Sequence, residues 1–518
     1  MTNFNNSHHK KIKKKRSTIF FVLILSIISP VYLVNALENN DVKMVEYPEH
    51  VSATELALRR DKVRQIMGKG LMVLFSAEPK VFSNDVNYPF RQESNIFYLT
   101  GINQPGTILI LLPENQGQKE ILFLPKRKPS LEIWTGKMRG PQEARRMTGI
   151  EHIWPAKEYK GFIDTILNGS IYRKRPPSNK ADYHFIIERI KGGNITDVWL
   201  LADIRQEFGL RYPNAFRLAS ELSRFPAMQP RLATSIFRNL RLIKSKWELA
   251  NLKRAIDITC LAQRNIMILS GQIDNPINES TLDGSILSTY RRHGAHWGFP
   301  SIVASGPNTT TLHYEDNSRD IGTGELILAD IGAAVGNYTA DVTRTFPRNG
   351  IFSKEQREVY EIVLQAQTQA IAAVRPETTL RQVHNVARKI IVEGLLELGL
   401  ITNRTEDQYR MWFMHSTSHM LGLDVHDVGG SNIPLKPGMV LTVEPGIYIR
   451  ENTLENLKNT PMNRILTKKI RPAFERYLNI GIRIEDDILV TENGNQILSE
   501  CVPKTIDAIE ALMANHLK

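Results

Sequence analysis

Cysteines are scarce in this chain, and no basic stripe interleaved with aromatic residues is present. Two cysteines among 518 residues, Cys260 and Cys501, exclude a disulfide-rich scaffold. They could pair with each other, or Cys260 could simply be buried in a helix.

The net charge of +12 includes six lysines and arginines within 1–36, where no acid occurs, which leaves +6 for the rest. This moderate charge argues against nucleic-acid binding.

Long apolar runs are absent after the first 36 residues. Within those residues, the basic stretch HHKKIKKKR precedes the apolar run Ile19–Val34, and cleavage is expected after Ala36. This layout is typical of a secretory signal peptide, predicted over 1–36. An uncleaved N-terminal membrane anchor is the alternative, although Pro30 and the shortness of the run favour cleavage. We therefore expect an exported, soluble protein with no stable membrane association after cleavage.

Residues 45–225 are predicted to form an α/β domain. Ala53–Met67 has a helical pattern, and Leu71–Ser76 has the pattern of a buried strand. Three further segments are predicted as strands, namely NIFYLTG, TILILLP and EILFLP, and helical patterns follow them. No phosphate-cradling glycine loop and no nucleophile elbow occurs here, so a structural or oligomerisation role is expected.

A second domain is predicted over 235–515. The segment FPAMQPR within Phe225–Thr234 contains two prolines and marks the linker. Leu240–Ser270 follows with the long amphipathic pattern of a core helix. The chain is therefore expected to be an α/β (α+β) protein with two domains behind its leader.

Three histidines fall within twelve residues, in the segment MHSTSHMLGLDVHDVGG. They are His415, His419 and His426. Imidazole serves both as a metal ligand and as a proton carrier near neutral pH. A single histidine among apolar residues is usually a buried structural residue, so the choice between the two interpretations depends on the acids elsewhere in the chain.

Four carboxylates occupy β-rich apolar surroundings, where an unpaired charge would be costly. They are Asp330, Asp341, Glu444 and Glu485. Such charges persist when they are paired or bind a metal, and converging carboxylates need a cation to offset their repulsion. With one imidazole they would form a hard, oxygen-rich site for one or two divalent ions. Manganese suits such a site, and cobalt, zinc or iron are tolerated.

Five stretches of the sequence resemble aminopeptidase P (Xaa-Pro aminopeptidase) of the pita-bread metallopeptidase superfamily. They are LHY at 312–314, the Asp330/Asp341 pair, HSTSHMLGLDVHDVGG, TVEPGIY and GIRIEDDILVTENG. The resemblance runs from about Leu56 to the C-terminus. It implies a non-catalytic N-terminal domain over 45–225 and a catalytic pita-bread domain over 235–515, in which two α/β halves surround one curved sheet.

The resemblance also implies a dinuclear metal centre, with Mn²⁺ as the expected ion. Asp330 would chelate one ion, whereas Asp341 and Glu485 would bridge both. His419 and Glu444 would complete the second site, and Glu444 would also accept a proton from the attacking water. Such a pair of ions lowers the pKa of the water toward neutrality. We expect Asp330 and Asp341 to lie on adjacent antiparallel strands joined by the AAVGNYTA turn.

By the same resemblance, the substrates are peptides whose second residue is proline, and the enzyme removes the first residue. The amide nitrogen of proline has no hydrogen, so it must gain a proton as the bond breaks, and the oxyanion needs a donor. His426 is implied near the oxyanion, with His313 and His415 on the proline side. Arg483 is expected to shape the pocket, against the simpler interpretation of a surface charge on a strand.

Two features concern partners. Phe97 corresponds to the aromatic residue that in this family can reach a neighbouring subunit's active site, which implies a homo-oligomer, dimer or tetramer; core packing is the alternative. The basic stretch between Tyr448 and Gly481 is longer than the family's usual connection. It is predicted to be a solvated loop, with a lid or a partner-binding element as the alternative.

Three other functions share parts of this pattern. A prolidase has the same five ligands and cuts only dipeptides, but the segments EIWTGKMRG and KTIDAIEALM favour aminopeptidase P. A methionine aminopeptidase generally lacks the large N-terminal domain. A metal-free pita-bread module for partner binding or creatine chemistry loses ligands, whereas all five occur here.

Glycosylation motifs bear on the compartment. Six Asn-X-Ser/Thr sequons follow the leader, and those at Asn308 and Asn337 lie beside the proposed site. A glycan at either position would obstruct substrate, which favours a bacterial periplasm among the exported locations, periplasmic or secreted.

Overall fold

The computed structural model describes residues 51–113, 117–175, 183–201, 212–225, 227–272 and 276–514. The predicted signal peptide lies outside these ranges. Within them, no helix combines the length and the apolar character needed to cross a membrane.

The N-terminal half of the described chain is built on one mixed sheet. Its strands, with one separate hairpin, are β1 (Leu71–Phe75), β2 (Val81–Ser83), β3 (Val86–Asn87), β4 (Ile108–Leu111), β5 (Glu120–Leu124), β6 (Ile153–Pro155), β7 (Asp197–Leu200) and β8 (Gln229–Leu232). The sheet order is β6-β5-β4-β1-β7-β8, and β2 pairs only with β3. The central strand β4 runs antiparallel to β1 and β5, whereas the outer pairs are parallel.

Seven helices accompany this sheet in the described ranges. They are α1 (Ala53–Met67), α2 (Ser94–Thr100), α3 (Pro129–Thr135), α4 (Pro141–Thr148), α5 (Tyr159–Leu167), α6 (His184–Lys191) and α7 (Pro213–Glu221). Phe162 of α5 and Ile186 of α6 pack with Leu71 and Phe123 of the sheet in one fully buried core. The predicted helix Ala53–Met67 is confirmed, and the predicted strand at Leu71 ends one residue earlier than expected.

The prediction of a strand for NIFYLTG is wrong, because this segment forms helix α2. The Glu93 carboxylate caps the helix by accepting hydrogen bonds from the backbone N–H groups of Asn95 and Ile96, at 2.8 and 2.9 Å. Gly101 ends it in the left-handed region (φ 65°) and donates to the Phe97 carbonyl. These two caps satisfy backbone groups at both ends of the helix, so they outweigh the β-rich composition.

The C-terminal half contains eight helices and thirteen strands in the part of the chain that the structure describes. The helices are α8 (Thr234–Leu242), α9 (Lys246–Gln272), α10 (Glu279–Arg292), α11 (Lys354–Ala373), α12 (Leu380–Glu397), α13 (Glu406–Tyr409), α14 (Pro461–Arg476) and α15 (Ile506–Ala514). The strands are β9 (Ile277–Asn278), β10 (His296–Trp297), β11 (Ile302–Ser305), β12 (Asp320–Ile321), β13 (Leu326–Ile331), β14 (Ala333–Val335), β15 (Tyr338–Thr339), β16 (Val342–Pro347), β17 (Val440–Val443), β18 (Gly446–Tyr448), β19 (Gly481–Arg483), β20 (Asp486–Thr491) and β21 (Gly494–Ile497). They pair as β10-β14-β15, β11-β13-β16, β12-β9, β17-β20-β21 and β18-β19.

The helix predicted over Leu240–Ser270 is interrupted, so that α8 and α9 replace it. Ile243 is extended (φ −97°, ψ 115°), and the Lys244 N–H donates to the Gly438 carbonyl at 2.9 Å. Ser245 then starts α9 by exchanging hydrogen bonds with Glu248: each side chain accepts from the other's backbone N–H. This capping box fixes a new helix start that the amphipathic pattern does not show.

The stretch between Tyr448 and Gly481 is not the predicted solvated loop, because it contains helix α14. Thr460 caps this helix by accepting from the Asn463 N–H at 3.1 Å, and Pro461 occupies its first turn. Its buried residues are Leu466, Ile470 and Phe474. Their spacing of four residues places an apolar stripe on one face of the helix, which anchors the insertion to the domain.

Cys260 and Cys501 form a disulfide. Cys260 is also fully buried within α9. The bond links this long helix to the segment that follows β21. That segment continues from β20 and β21, and the candidate site residue Glu485 immediately precedes β20.

Candidate metal centre

Asp330 and Asp341 are brought together by an antiparallel strand pair. Asp330 lies near the end of β13, opposite Thr343 of β16, and Asp341 immediately precedes β16. The connection between them folds into the small hairpin β14–β15. This is the arrangement expected from the sequence, with the refinement that Asp341 lies one residue outside the paired strand.

His419 is placed by a segment that runs alongside β17. The Thr442 N–H donates to the His419 carbonyl at 2.9 Å, and the Glu444 N–H donates to the Thr417 carbonyl at 2.8 Å. His419 Nε2 consequently lies 3.5 Å from a Glu444 carboxylate oxygen. On its other side, the His419 ring meets the Met420 carbonyl through Nδ1 at 3.1 Å. Because that carbonyl can only accept, Nδ1 carries the proton and Nε2 is left with a free lone pair, as a metal ligand requires.

Glu485 enters the same cluster from the far side. Its N–H donates to the Thr343 carbonyl at 3.1 Å, and its carboxylate accepts from the Thr343 hydroxyl at 2.6 Å. Ligand atoms of Asp341, His419 and Glu485 all lie within 4.8 Å of one another. His419 Nε2 is 3.3 Å from Asp341 Oδ2. The three residues therefore converge on one point.

The electrostatics of the cluster fit a bound cation. Burial raises the pKa of Asp341 and of Glu485 well above the usual carboxyl range, and repulsion from the neighbouring carboxylates raises both further. Burial also raises the pKa of Glu444. One carboxylate oxygen of Asp330 and one of Asp341 are buried without a hydrogen-bond partner among the described residues. Crowded, desolvated carboxylates with unpaired oxygens form a site that a divalent ion would stabilise.

Arg483 lies beside the carboxylate cluster. Its guanidinium is 2.6 Å from Asp330 Oδ2 and donates to the Tyr448 hydroxyl at 3.0 Å and to Thr343 Oγ1 at 3.2 Å. Arg483 is 4% exposed, so the simpler interpretation of a surface charge is wrong. Tyr448 and Thr343 were not among the predicted site residues. Tyr448 belongs to the TVEPGIY motif, but nothing in the sequence pairs it with Arg483.

His415 completes this network on the other side of Tyr448. Its Nε2 is 2.9 Å from the Tyr448 hydroxyl, and its Nδ1 is 2.9 Å from the Ser416 carbonyl. Burial, reinforced by the positive charge of Arg483, lowers the pKa of His415 to about 3. The imidazole is therefore neutral near pH 7, with Nδ1 donating to Ser416 and Nε2 accepting from Tyr448.

His426 and His313 lie at the exposed side of the cluster. The His426 ring packs edge-on against His419, with ring centroids 4.4 Å apart. Partial burial lowers the pKa of His426, and the nearby His419 and His313 lower it further. His313 itself is exposed. Both histidines are thus open to a ligand that approaches the carboxylates.

Phe97 is half-buried on α2. It lines a cleft of about 1250 Å³ that also involves Trp247 and Asp424. Its contact with a neighbouring subunit stays a prediction.

The chain matches two family models. Residues 250–492 match the metallopeptidase family M24, and residues 56–172 match the N-terminal domain of aminopeptidase P. These ranges lie inside the two domains expected at 235–515 and 45–225. The segment predicted as a linker is not one throughout, because its strand β8 (Gln229–Leu232) pairs with β7 and extends the N-terminal sheet beyond residue 225. The mixed helix and strand architecture therefore confirms the predicted fold class, with an aminopeptidase P N-terminal domain before a pita-bread domain.

Curated relatives and solved structures agree with these matches. The chain is 35% identical to the Xaa-Pro aminopeptidase of Haemophilus influenzae, over 90% of this chain and 99% of the relative. It is 34% identical to the Xaa-Pro aminopeptidase of Escherichia coli, over 89% and 98%. The structure of zinc-substituted Escherichia coli aminopeptidase P in complex with product superposes with a TM-score of 0.74 at 32% identity, covering 90% and 100%. The chain therefore belongs to the aminopeptidase P family of the M24 metallopeptidases.

Proposed function

We propose that this chain is a metal-dependent Xaa-Pro aminopeptidase, which removes the first residue from peptides whose second residue is proline. The observation that carries the proposal is the convergence of Asp341, His419 and Glu485 on one point. The Xaa-Pro aminopeptidases among its relatives, matched over almost their whole length, support the substrate class.

The proposed cofactor is a pair of divalent ions. Its ligands are Asp330, Asp341, His419, Glu444 and Glu485. Four carboxylates and one imidazole favour Mn²⁺, while Co²⁺, Zn²⁺ and Fe²⁺ are also tolerated by such donors. When bound, the ions supply Lewis acidity and lower the pKa of a water molecule toward neutrality.

Glu444 is proposed to accept the proton of the attacking water. Burial raises its pKa, which makes its carboxylate a stronger base than one in solvent. Its Oε2 lies 3.7 Å from Nδ1 of the neutral His415. The proton is then proposed to pass to the proline nitrogen with the assistance of His313 and His415. His415 would assist as a neutral hydrogen-bonding group, because its low pKa prevents it from carrying the proton itself.

His426 is proposed to stabilise the oxyanion. Its ring is exposed and packs against His419. A ring nitrogen of His426 can donate a hydrogen bond to the negative charge that develops on the oxyanion. Arg483 occupies one oxygen of Asp330, which leaves the other without a partner in the structure. A free substrate α-amine near Asp330 would restrict cleavage to the first residue of the chain.

Export and assembly are further proposals. Disulfides persist in oxidising compartments, so the Cys260–Cys501 bond supports a periplasmic or secreted location after cleavage of 1–36. N-terminal sequencing of the mature protein tests this.

Phe97 on the wall of an open cleft supports a homo-oligomer, dimer or tetramer, which light scattering of the purified protein would test.

The activity is tested by chelating the purified protein, restoring Mn²⁺ and comparing three peptides. Arg-Pro-Pro is expected to be cleaved after arginine, whereas Arg-Ala-Ala should be cleaved far more slowly. The dipeptide Gly-Pro separates the proposal from a prolidase, which would prefer it. Equal rates on Arg-Pro-Pro and Arg-Ala-Ala would refute the proline requirement, and full activity in the chelated protein would refute the metal centre.

A further inference from the structure

The four residues around His426 are held at both ends by one buried cation. Asp424 precedes His426 by two residues and Asp427 follows it. Arg241 of α8 contacts both acids: its Nη2 lies 2.7 Å from Asp424 Oδ2 and 2.5 Å from Asp427 Oδ1. Arg241 is 3% exposed. The guanidinium therefore links the first and last residues of the His426 segment (residues 424–427).

The N-terminal domain completes this arrangement through helix α2. The Ser94 hydroxyl donates to Asp424 Oδ1 at 2.8 Å, and Arg241 Nη1 donates to the side-chain oxygen of Asn95, also at 2.8 Å. Arg91, just before α2, donates to the Leu423 carbonyl. The His426 segment is thus tied to a domain that contains none of the proposed metal ligands.

The same segment is also tied to the metal centre. The Asp427 N–H donates to the Met420 carbonyl at 2.9 Å, directly beside His419, and Lys244 lies 3.2 Å from the second oxygen of Asp427. Although burial by itself lowers the pKa of Arg241, the carboxylates of Asp427 and Asp424 raise it above its ordinary value. The charge of the guanidinium is therefore permanent, and the segment has a fixed anchor at every pH at which the enzyme would work.

We propose that Arg241 is a positioning residue for catalysis, which acts through Asp424 and Asp427 to hold His426 against His419. In this arrangement, α2 of the N-terminal domain takes part in setting the geometry of the reaction. The inference rests on the proposed role of His426 at the oxyanion. Hydrogen bonds to an oxyanion depend steeply on donor position, so a small displacement of the segment weakens turnover without removing a group that touches substrate.

The first experiment substitutes Arg241→Met, which keeps the length of the side chain and removes its charge. The matched control is Arg238→Met, on the exposed face of the same helix. Arg241→Met is expected to lower kcat on Arg-Pro-Pro by roughly 10–100-fold, the usual effect of losing a supporting contact. KM and Mn²⁺ content should stay close to wild type, Arg241→Lys should recover part of kcat, and Arg238→Met should leave both constants unchanged.

A double-mutant cycle separates positioning from general support of the fold. If Arg241 acts through His426, then Arg241→Met should lower kcat in the wild type but by less than about 2-fold in the His426→Ala background, because the group it positions is already absent. Losses that multiply in the double variant would overturn the inference. If His426→Ala alone leaves kcat unchanged, the proposed role of His426 fails, and with it the positioning role, while the proline preference of the enzyme stands.

A variant with a milder effect on folding keeps the inference testable. Removal of Arg241 takes a cation away from the buried Asp427 side chain and the partly buried Asp424 side chain, so Arg241→Met could yield protein without the wild-type circular dichroism spectrum. The cycle is then run with Ser94→Ala, which deletes one hydrogen bond to Asp424 and no charge. A fall in kcat that disappears in the His426→Ala background supports the inference, and an equal fall in both backgrounds overturns it.

Discussion

Arg344 and Asp486 form an ion pair in which both side chains are completely buried, with 2.7 Å between their charged atoms. The same guanidinium donates to the carbonyls of Glu485 and Thr343. The pair therefore joins β16 to β20, next to the points where the candidate ligands Asp341 and Glu485 precede these strands, and it fixes the backbone of Glu485 relative to β16. An ion pair in this position supports the metal centre without touching it.

Arg344→Met is expected to lower the free energy of unfolding by about 3 kcal/mol, because it breaks a fully buried ion pair and leaves Lys504 as the charged partner of the Asp486 carboxylate. Chemical denaturation of the metal-free protein measures the change. Arg357→Met is the matched control, since the Arg357–Glu510 pair is partly exposed and is expected to contribute less than about 1 kcal/mol. Equal losses in the two variants would show that burial of the Arg344 pair is irrelevant to stability.

The same pair predicts an acid-sensitive contribution to stability. Burial alone would raise the pKa of Asp486, but Arg344 and Lys504 lower it to about 2. A carboxyl whose pKa is depressed on folding stabilises the protein above its unfolded pKa of about 3.9, and this stabilisation is lost as pH falls toward the folded value. Between pH 5 and pH 2, the wild type should therefore lose stability more steeply than Asp486→Asn. Parallel curves in urea titrations at each pH would contradict the prediction.

Substitution of a candidate ligand should affect folding and metal binding in opposite directions. Burial and repulsion from Asp341 raise the pKa of Glu485, so this carboxyl opposes folding of the metal-free protein at neutral pH. Glu485→Gln is expected to stabilise the metal-free protein while abolishing Mn²⁺ binding by calorimetry and hydrolysis of Arg-Pro-Pro. The adjacent Asp486→Asn is the control, because it should destabilise instead. Retained Mn²⁺ binding in Glu485→Gln would exclude Glu485 as a ligand.

The strand pairing around Asp330 could be predicted from the sequence, because strand alternation and short hairpins are local, whereas the full ligand set came from the resemblance of the motifs to aminopeptidase P. The pairing of Asp330 with Asp341 depends on one turn between two apolar runs. By contrast, Arg241 and Asp427 are 186 residues apart, and no local pattern relates a helix in one segment to a loop in another. Long-range polar contacts of this kind depend on the packing of whole elements, which periodicity does not encode.

Two errors of secondary structure have a different cause. The composition of NIFYLTG favours a strand, but the Glu93 carboxylate caps a helix instead. In the basic stretch between Tyr448 and Gly481, the many charged residues favour a loop by composition. Leu466, Ile470 and Phe474 nevertheless form an apolar stripe on one face of a helix. The capping residue predicts the first helix, and the four-residue apolar spacing predicts the second, whereas overall composition predicts neither.

The Cys260–Cys501 disulfide is predicted to stabilise the folded protein. Cys501 immediately precedes Val502 and Pro503, whose carbonyls each accept a hydrogen bond from Arg344 at 3.1 Å. Because the bond closes a loop with a sequence separation of 241 residues, its loss should raise the entropy of the unfolded chain and cost about 2–5 kcal/mol. The Cys260→Ala/Cys501→Ser variant should therefore unfold at lower denaturant than the wild type and be insensitive to added reductant. The wild type should shift toward the variant when reduced. A wild type whose midpoint does not change on verified reduction would show that packing around α9, rather than the covalent bond, holds the segment behind the ligands.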